Sequence, residues 1–449
     1  MELITLCWWS SDRVAAHRGP VDGVPTWDDG AVRRTLEQRM KETILSTEVP
    51  LRRNRDFRLL WVSGATSQLG SQAAEIAFPL LLLAVTGSAG YAGLLTSAQM
   101  VTYLVIMLPA GVLADRFDRR KLMLVSNFSR AGLLAIITAM VLFDYTYIVP
   151  LIIVAMLISL MEAVFDPTQD ASLKQLVSVK QLNDAYAVDQ ARTQAATLIG
   201  PVVGGWLYAV GRWVPFLGNM LAFLASGFMI WAIKRPLNSE NATDEVGTNV
   251  GWRGAFEGFK FLFSDPLLRA VALLSTGTMF TLAAFPLIYI ASLRADNVGS
   301  QVIGIMLAAY GVAGVVGAVL SPFILRVVPS NLLFFIATWL VPIVLVVLAM
   351  TNYIPVAIGG ACLLFFSLPP VTALARGYLS AITPSHLQGR VFASVMVVGA
   401  ALQPIAPVVF GTVFDSAGRF WTFLGMAIAG TITATISLTK PIRNAAKPG

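Results

Sequence analysis

The chain has 449 residues, of which 56% are hydrophobic and 13% are charged, and its formal net charge is +7. A soluble domain carries about a quarter charged residues, so this composition excludes an ordinary soluble protein and indicates a membrane protein. The two cysteines and two histidines are each isolated in the sequence. They fit neither a disulfide framework nor a metal site, and we expect no cofactor.

The first 51 residues are polar and mixed in charge, with neither an apolar span nor the hydrophobic core of a signal peptide. We expect residues 1–51 to form a flexible cytoplasmic tail. The stretch MKETILSTEVPLRRNRDFRLLW, which begins at Met40, already reads as a natural start. Whether residues 1–39 belong to the natural protein is therefore left open, and we expect no functional role for them.

Apolar runs separated by turn or charge signals then predict twelve membrane-spanning helices. Lipid offers the backbone no hydrogen-bond partner, so the spans should be helical and the fold class an all-α membrane protein. The predicted spans are 59–85, 93–113, 122–142, 148–165, 187–209, 214–233, 268–291, 302–324, 331–350, 354–374, 390–413 and 420–438.

A long inter-helix segment at 234–267 divides the spans into a six-helix half at 52–233 and another at 268–438, with a cytoplasmic tail at 439–449. The first part of this linker is polar. Its second part, WRGAFEGFKFLFSD, predicts an amphipathic helix on the inner membrane surface.

Short pieces of sequence recur between the halves. AFPL at 77–80 returns at 284–287, an offset of 207, and PVVGG at 201–205 returns as PVVFG at 407–411, an offset of 206. Matches at nearly one offset indicate duplication into two pseudo-symmetric halves, the architecture of a secondary transporter.

The loops predict the orientation. If the N-terminus is cytoplasmic, the loops on the far side hold only Arg212, Arg294 and Arg419, and the other loop Lys and Arg residues face the cytoplasm. The positive-inside rule therefore predicts a multi-pass protein of a bacterial plasma membrane with both termini inside. It also accounts for the basic charge without a nucleic-acid partner.

The turn between the second and third spans carries a dense group of charges. The stretch GVLADRFDRRKLML, 111–124, holds six charges in the seven positions from Asp115 to Lys121. It resembles the loop 2–3 motif of the major facilitator superfamily, Gly-x-Leu-Ala-Asp-Arg-x-Gly-Arg-Arg, with Asp118 where the family has glycine. The matching residues are Gly111, Asp115, Arg116, Arg119 and Arg120.

Two roles are open for this turn. The basic residues anchor the topology, and the resemblance implies that Asp115 sits against the N-terminus of helix 11 in the other half and latches the outward-open state. The repeat supports a specialised role, because the second half has Ser321 in place of Asp115.

A second motif lies in helix 5. IGPVVGGWL at 199–207 resembles the Gly-Pro-x-x-Gly-Gly motif of exporters in the same superfamily. The readings are a kink that blocks proton leak and favours antiport, or plain helix packing. The resemblance covers about 52–440, and the stretch FDPTQDASLKQLV with the overall pattern looks like the bacterial group of drug, macrolide and siderophore exporters. The motif residues are Gly200, Pro201, Gly204 and Gly205.

Glu75 is the candidate for proton coupling, because an ionisable group inside a bilayer is costly and by default functional. It lies 14 residues beyond Trp61, the predicted inner-interface anchor, and so about 21 Å along the first helix. Gln68 and Gln72 share its helix face and form a polar stripe toward a central cavity. At offset 207 the second half has Leu282 instead. The alternative is that Glu75 only packs helices.

The second half offers no replacement for this carboxylate. After Asp265 its only acids are Asp296 and Asp415, both predicted in outer loops. A further charged set lies nearer the inner side of the first half, where opposite charges should pair because an unpaired buried charge is costly. The readings are a proton relay or substrate contact, or a structural salt-bridge cluster. The set consists of Arg130, Glu162, Asp166, Asp189 and Arg192.

These features predict a proton-driven antiporter that exports small amphipathic or hydrophobic compounds by alternating access, acts as a monomer and is not an enzyme. A phosphate-binding Gly-x-x-x-x-Gly-Lys loop is absent, which argues against an ATP-driven pump. The alternatives are an importer or lipid translocase of the same fold, and, more remotely, a non-transporting receptor or membrane enzyme.

Overall fold

The computed structural model describes residues 50–235, 237, 252–351, 353–384 and 387–443. The predicted N-terminal tail, except its last two residues, the polar part of the linker and the end of the C-terminal tail lie outside these ranges. The described part is helical throughout, as expected for a chain whose backbone must satisfy its own hydrogen bonds.

Six helices make up the N-terminal half. They are α1 (Arg55–Thr86), α2 (Ala89–Arg116), α3 (Arg119–Leu142), α4 (Ile148–Leu176), α5 (Leu182–Val210) and α6 (Val214–Trp231). The predicted amphipathic helix follows as α7 (Trp252–Ser264). The C-terminal half contains α8 (Pro266–Ala283), α9 (Phe285–Ala295), α10 (Ser300–Val327), α11 (Ser330–Met350), α12 (Ile354–Ile382), α13 (Gln388–Ala401), α14 (Ile405–Thr435) and α15 (Lys440–Arg443).

In the described ranges, ten segments are long and apolar enough to cross a bilayer. Two features separate this number from the predicted twelve. The first half of α5 carries polar and charged residues, which lowers its hydropathy, and Arg390–Leu438 counts as a single segment although Gly418 interrupts its helix with φ 79°. With α5 added and the last segment divided at Gly418, the segments would number twelve, the number predicted from the apolar runs.

Two membrane helices of the C-terminal half are broken near their middles. Ala284 separates α8 from α9, and Pro286 stands in the first turn of α9, where its missing N–H does no harm. Residues 402–404 separate α13 from α14 and end in Pro404. In the N-terminal half, α1 and α5 run on through Pro79 and Pro201.

We name the two ends of the molecule by the predicted orientation, with the α1–α2 turn at the outer end and the α2–α3 turn at the inner end. The outer end is closed by contacts between the halves, where α2 packs on α14 and α5 packs on α10. The largest hydrophobic core runs across both halves there, from Ala74 and Leu95 to Ile303 and Phe410.

At the inner end the core divides. One cluster contains only residues that precede α7, such as Phe57, Met123 and Leu176, and another only residues from α7 onward, such as Leu268 and Val391. The inner segment α13 packs on α7, α8 and α12, all on the same side of the division. A molecule joined at its outer end and divided at its inner end is open toward the cytoplasm in the predicted orientation.

Candidate functional site

The predicted polar stripe on α1 reaches the space between the halves. The Glu75 side chain is exposed although it lies in the middle of a helix whose neighbouring positions, Ala74 and Ile76, are buried. Gln72, one turn earlier on α1, and Tyr310 on α10 of the other half both lie within electrostatic reach of the Glu75 carboxyl. Gln68 is half-buried one turn before Gln72. Glu75 therefore faces the opposite half instead of lipid.

An aromatic group in the C-terminal half stands across from Glu75. The rings of Tyr310 and Phe365 are stacked with centroids 4.2 Å apart. Phe285, the first residue of α9, lies 6.2 Å from Tyr310 and 5.9 Å from Phe365. The break at Ala284 places the Phe285 ring in this group. Phe285 is fully buried, whereas Tyr310 and Phe365 are half-buried and lie on the side of the opening that lacks carboxylates.

Two acids on α4 continue the polar region toward the inner end. Glu162 and Asp166 are half-buried and share a helix face, and Glu162 lies within electrostatic reach of Glu75. The Tyr103 hydroxyl on α2 donates a hydrogen bond of 2.8 Å to Asp166 Oδ2. The first half thus carries a series of carboxyl groups from its middle toward the inner opening.

Arg130 does not pair with these acids as predicted. No carboxylate oxygen of a described residue lies within 4 Å of it; instead, its Nη2 donates to Asn127 Oδ1 at 2.7 Å. The guanidinium lies over the rings of Phe165 and Phe223, at 4.5 and 4.2 Å from their centroids. A planar guanidinium can be held by two aromatic faces, so these rings, invisible as partners in the sequence, replace the expected ion pair.

The other predicted pair does form. Arg192 Nη1 lies 3.1 Å from Asp189 Oδ1, one turn earlier on α5. With its amide oriented to satisfy both groups, Gln169 on α4 accepts from the same guanidinium at 2.9 and 3.1 Å. Arg192 lies directly over Gly64 of α1, where a methyl group would be 1.8 Å from Nη1. Arg192 thus ties α1, α4 and α5 together.

The helix 5 motif joins three helices near the outer end. A methyl group at Gly200 would lie 2.3 Å from Gln72 Cβ, and one at Gly204 would lie 2.2 Å from the Ala73 carbonyl oxygen. Both contacts are with α1. Gly205 faces the other half instead, where a methyl group would lie 2.5 Å from the Ser300 carbonyl oxygen. The helix continues through Pro201, and the glycines allow close approach on both sides.

The charged turn between α2 and α3 is held within the N-terminal half. Asp118 is the N-cap of α3 and accepts from Lys121 N at 3.1 Å, with φ −61° and ψ 111°. An acid therefore suits the position where the related motif has glycine, because its dihedral angles do not require one. Arg116 is exposed.

The next two arginines secure this turn. Arg119 is buried and donates to the carbonyl oxygens of Ala171 on α4 and Leu237 after α6, both at 3.3 Å. Arg120 donates to the Trp231 carbonyl oxygen at the end of α6. Gly111 has open space around its Cα, and Asp115 lies in the last turn of α2.

Sequence reasoning missed Tyr103, Gln169 and Gly64, which have no charge and belong to no motif. It also placed Asp415 in a loop, whereas the residue lies on α14 and contacts α2 of the other half. Among the described residues, no group of three or more His, Cys, Asp and Glu side chains is arranged to hold a metal ion.

Comparison with known proteins gives consistent matches. The family profile of transmembrane secretion effectors matches residues 45–447. The chain is 23% identical to the multidrug efflux pump Tap of Mycolicibacterium fortuitum over 85% of this chain and 95% of that protein. It is 24% identical to a Na⁺, Li⁺, K⁺/H⁺ antiporter of Planococcus maritimus over 75% of this chain and 86% of that protein.

Among solved structures, a bacterial homologue of the human lysosomal transporter Spinster matches with a TM-score of 0.70 at 12% identity. The match covers 86% of this chain and 96% of that one. At this identity the likeness concerns the fold alone.

Proposed function

Because the chain belongs to the transmembrane secretion effector family of the major facilitator superfamily, we propose that it is a proton-coupled antiporter that exports small amphipathic or hydrophobic compounds. It is a multi-pass membrane transporter and not an enzyme. In our proposal it lies in a bacterial plasma membrane with both termini in the cytoplasm, works as a monomer and draws its energy from the proton gradient. Its relatives support export and antiport, since one is named a multidrug efflux pump and another a cation/proton antiporter.

The observation that carries the proposal is the position of Glu75. Its carboxyl is accessible between the halves, lies near the Gln72 amide and has no cationic partner within 4 Å among the described residues. The equivalent position of the other half is the buried Leu282. An accessible carboxyl in the middle of a membrane protein is suited to exchanging a proton for a substrate.

The aromatic side of the opening, across from Glu75, supports amphipathic or hydrophobic compounds as the proposed substrates. Tyr310 and Phe365 form an aromatic surface facing the acidic side of the opening, with the buried Phe285 packed behind them. A compound with an apolar body can pack on these rings, and a positive group on it can pair with Glu75. Amphipathic cations fit both walls best, and neutral hydrophobic compounds use the aromatic wall alone.

In the proposed cycle, the inner opening admits the substrate from the cytoplasm, and Glu75 releases its proton as the substrate binds. Glu162 and Asp166 offer acceptor groups for a proton leaving toward the inner end, and Tyr103 orients Asp166 through its hydrogen bond. The halves then close at the inner end and open at the outer end. Protonation of Glu75 from outside displaces the substrate and permits the return.

The test is transport of ethidium into inside-out vesicles under an imposed pH gradient, interior acidic. We expect gradient-dependent uptake by the native protein and its loss in Glu75→Gln, because the amide cannot exchange a proton. Glu257→Gln is the matched control, since Glu257 is exposed on α7 and pairs with Arg390 there. Unchanged uptake in Glu75→Gln would remove the assignment of Glu75, and ethidium movement in the opposite direction would indicate an importer.

A further inference from the structure

The α2 N-terminus, at the outer end of the N-terminal half, is bound by an acid from the other half. Asp415 lies near the outer end of the first part of α14, three residues before the interruption at Gly418. Its Oδ1 accepts from Ala89 N at 2.7 Å, and its Oδ2 accepts from Gly90 N at 2.8 Å and from the Ser88 hydroxyl at 2.5 Å. One carboxylate thus binds three donors across the division.

These donors belong to the positive end of a helix. The first N–H groups of α2 have no partner within the helix, and the helix dipole concentrates positive charge there. Ser88 caps the helix from its own half by accepting from Tyr91 N at 3.2 Å. Asp415 adds a second cap that depends on how the two halves are placed.

Glycines bring the two helices close enough for this contact. A methyl group at Gly93 would lie 2.1 Å from the Pro407 carbonyl oxygen, and one at Gly411 would lie 2.5 Å from the Ala89 carbonyl oxygen. Both partners are backbone atoms, which cannot move without moving their helices. The Asp415 contact therefore exists only while the outer end is closed.

We infer that Asp415 is a conformational latch that stabilises the inward-open state by binding the α2 N-terminus. In the outward-open state the outer ends separate and the carboxylate loses all three donors, whereas the Ser88 cap on α2 remains. α2 and the helix formed by α13 and α14 run antiparallel, and at the inner end they lie on opposite sides of the division in this structure. The inner end of α2 carries Asp115 in its last turn, and α13 begins at the inner end of the other half.

The two acids thus occupy opposite ends of one helix pair. The repeat equivalent of Asp115, at offset 206, is Ser321, so Asp415 is not its counterpart. Each acid lies near the C-terminal end of its own membrane segment, and Asp415 binds the N-terminus of the partner helix. The outer contact is made in the inward-open state, and alternation would exchange it for the inner one. The inference concerns the balance between states and does not depend on the substrate or the coupling ion.

The test measures distances between spin labels in the full-length protein in nanodiscs, without substrate and without a gradient. Cys7 and Cys362 are first replaced. The outer label pair is Tyr145→Cys with Tyr353→Cys, both exposed and in different halves. The inner label pair is Lys180→Cys with Arg376→Cys, also exposed and in different halves.

In Asp415→Asn we expect a roughly 3- to 10-fold fall in the ratio of inward-open to outward-open molecules, because the side chain keeps its size but loses its charge. The outer label distances should lengthen while the inner ones shorten. Asp144→Asn is the matched control, since Asp144 is an exposed outer acid with φ 56°, a conformation that asparagine tolerates. Distance distributions in Asp415→Asn that equal those of Asp144→Asn would overturn the latch.

A negative charge introduced at Ser88, one of the three donors, gives a second test. Ser88→Asp keeps a good N-cap residue on α2 but places a like charge beside Asp415. We expect it to shift the population outward at least as far as Asp415→Asn does. Adding Asp415→Asn to it should shift the population back, because the asparagine amide can donate to the new carboxylate. Failure of the double variant to recover would show that the first shift came from local damage and would overturn the latch.

Discussion

The guanidinium of Arg192 occupies the place that a side chain at position 64 would take. A methyl group there would lie 1.8 Å from Nη1, and the guanidinium is held by Asp189, Gln169 and the Trp61 carbonyl oxygen. In Gly64→Ala the arginine has to move and give up part of these bonds. We expect a loss of about 1–3 kcal/mol in the free energy of unfolding, since buried polar groups are left without partners.

The melting temperature in detergent measures this effect, and a double variant identifies its cause. Gly64→Ala should add little to the loss already caused by Arg192→Ala, because the clash then no longer exists. Gly132→Ala is the control, since no atom lies within 4 Å of a methyl group there and alanine is the better helix former. Additive losses in the double variant would contradict this explanation.

Individual residues also show where prediction from the sequence ends. The pair Asp189 and Arg192 could be predicted because the two residues are one turn apart on one helix. The surroundings of Arg130 could not, because Phe165 and Phe223 are distant in the chain and aromatic residues are common in every membrane helix. The cap by Asp118 was open to prediction, since an acid directly before a helix is a typical start signal.

At the scale of helices, the glycines of the helix 5 motif form the contact between α5 and α1 within the N-terminal half. A methyl group at Gly204 would lie 2.2 Å from the Ala73 carbonyl oxygen, and this backbone atom can move only if α1 moves. Gly204→Ala should therefore lower the free energy of unfolding by about 1–3 kcal/mol, more than the gain of up to about 1 kcal/mol in helix propensity.

Thermal unfolding in detergent checks this prediction, with Gly359→Ala as the control because a methyl group at Gly359 of α12 has no atom within 4 Å. Ethidium uptake by the same variants should fall in Gly204→Ala alone, since the displaced helix also carries Glu75. A Gly204→Ala protein as stable and as active as Gly359→Ala would reduce the motif to a sequence resemblance without a packing role.

The apolar runs of the sequence predict which membrane helices exist. They do not predict where each helix ends or breaks. The predicted fourth span ended at residue 165, where Asp166 and Pro167 interrupt the apolar run, yet α4 continues to Leu176. Polar residues facing the opening do not end a helix, because its backbone bonds are internal. The break at 402–404 is equally hidden, since a proline does not by itself mark a break: Pro201 stays inside α5 and its repeat counterpart Pro407 stays inside α14.

At the scale of the whole molecule, the repeat predicts two halves but not their arrangement. The same apolar pattern serves the inward-open and outward-open states, so only the contacts distinguish them. One core crosses the halves at the outer end and two separate cores lie at the inner end. The latch residue Asp415 escaped prediction for the same reason, since its partners belong to another half and to one state.

If the halves move as rigid bodies, the two contacts at the outer end, α2 with α14 and α5 with α10, have to open together. Gly93→Ala would press α2 against the Pro407 carbonyl oxygen, and Gly205→Ala would press α5 against the Ser300 carbonyl oxygen of α10, in a different helix pair. We expect both variants to lengthen the distances of the outer label pair and to shorten those of the inner pair.

Gly317→Ala is the control, because its methyl group would meet the Phe366 carbonyl oxygen within the C-terminal half. It should lower the melting temperature without moving either label pair. A shift in Gly93→Ala alone would mean that α2 opens independently of α5 and would contradict the rigid-body motion on which alternating access is proposed to rest.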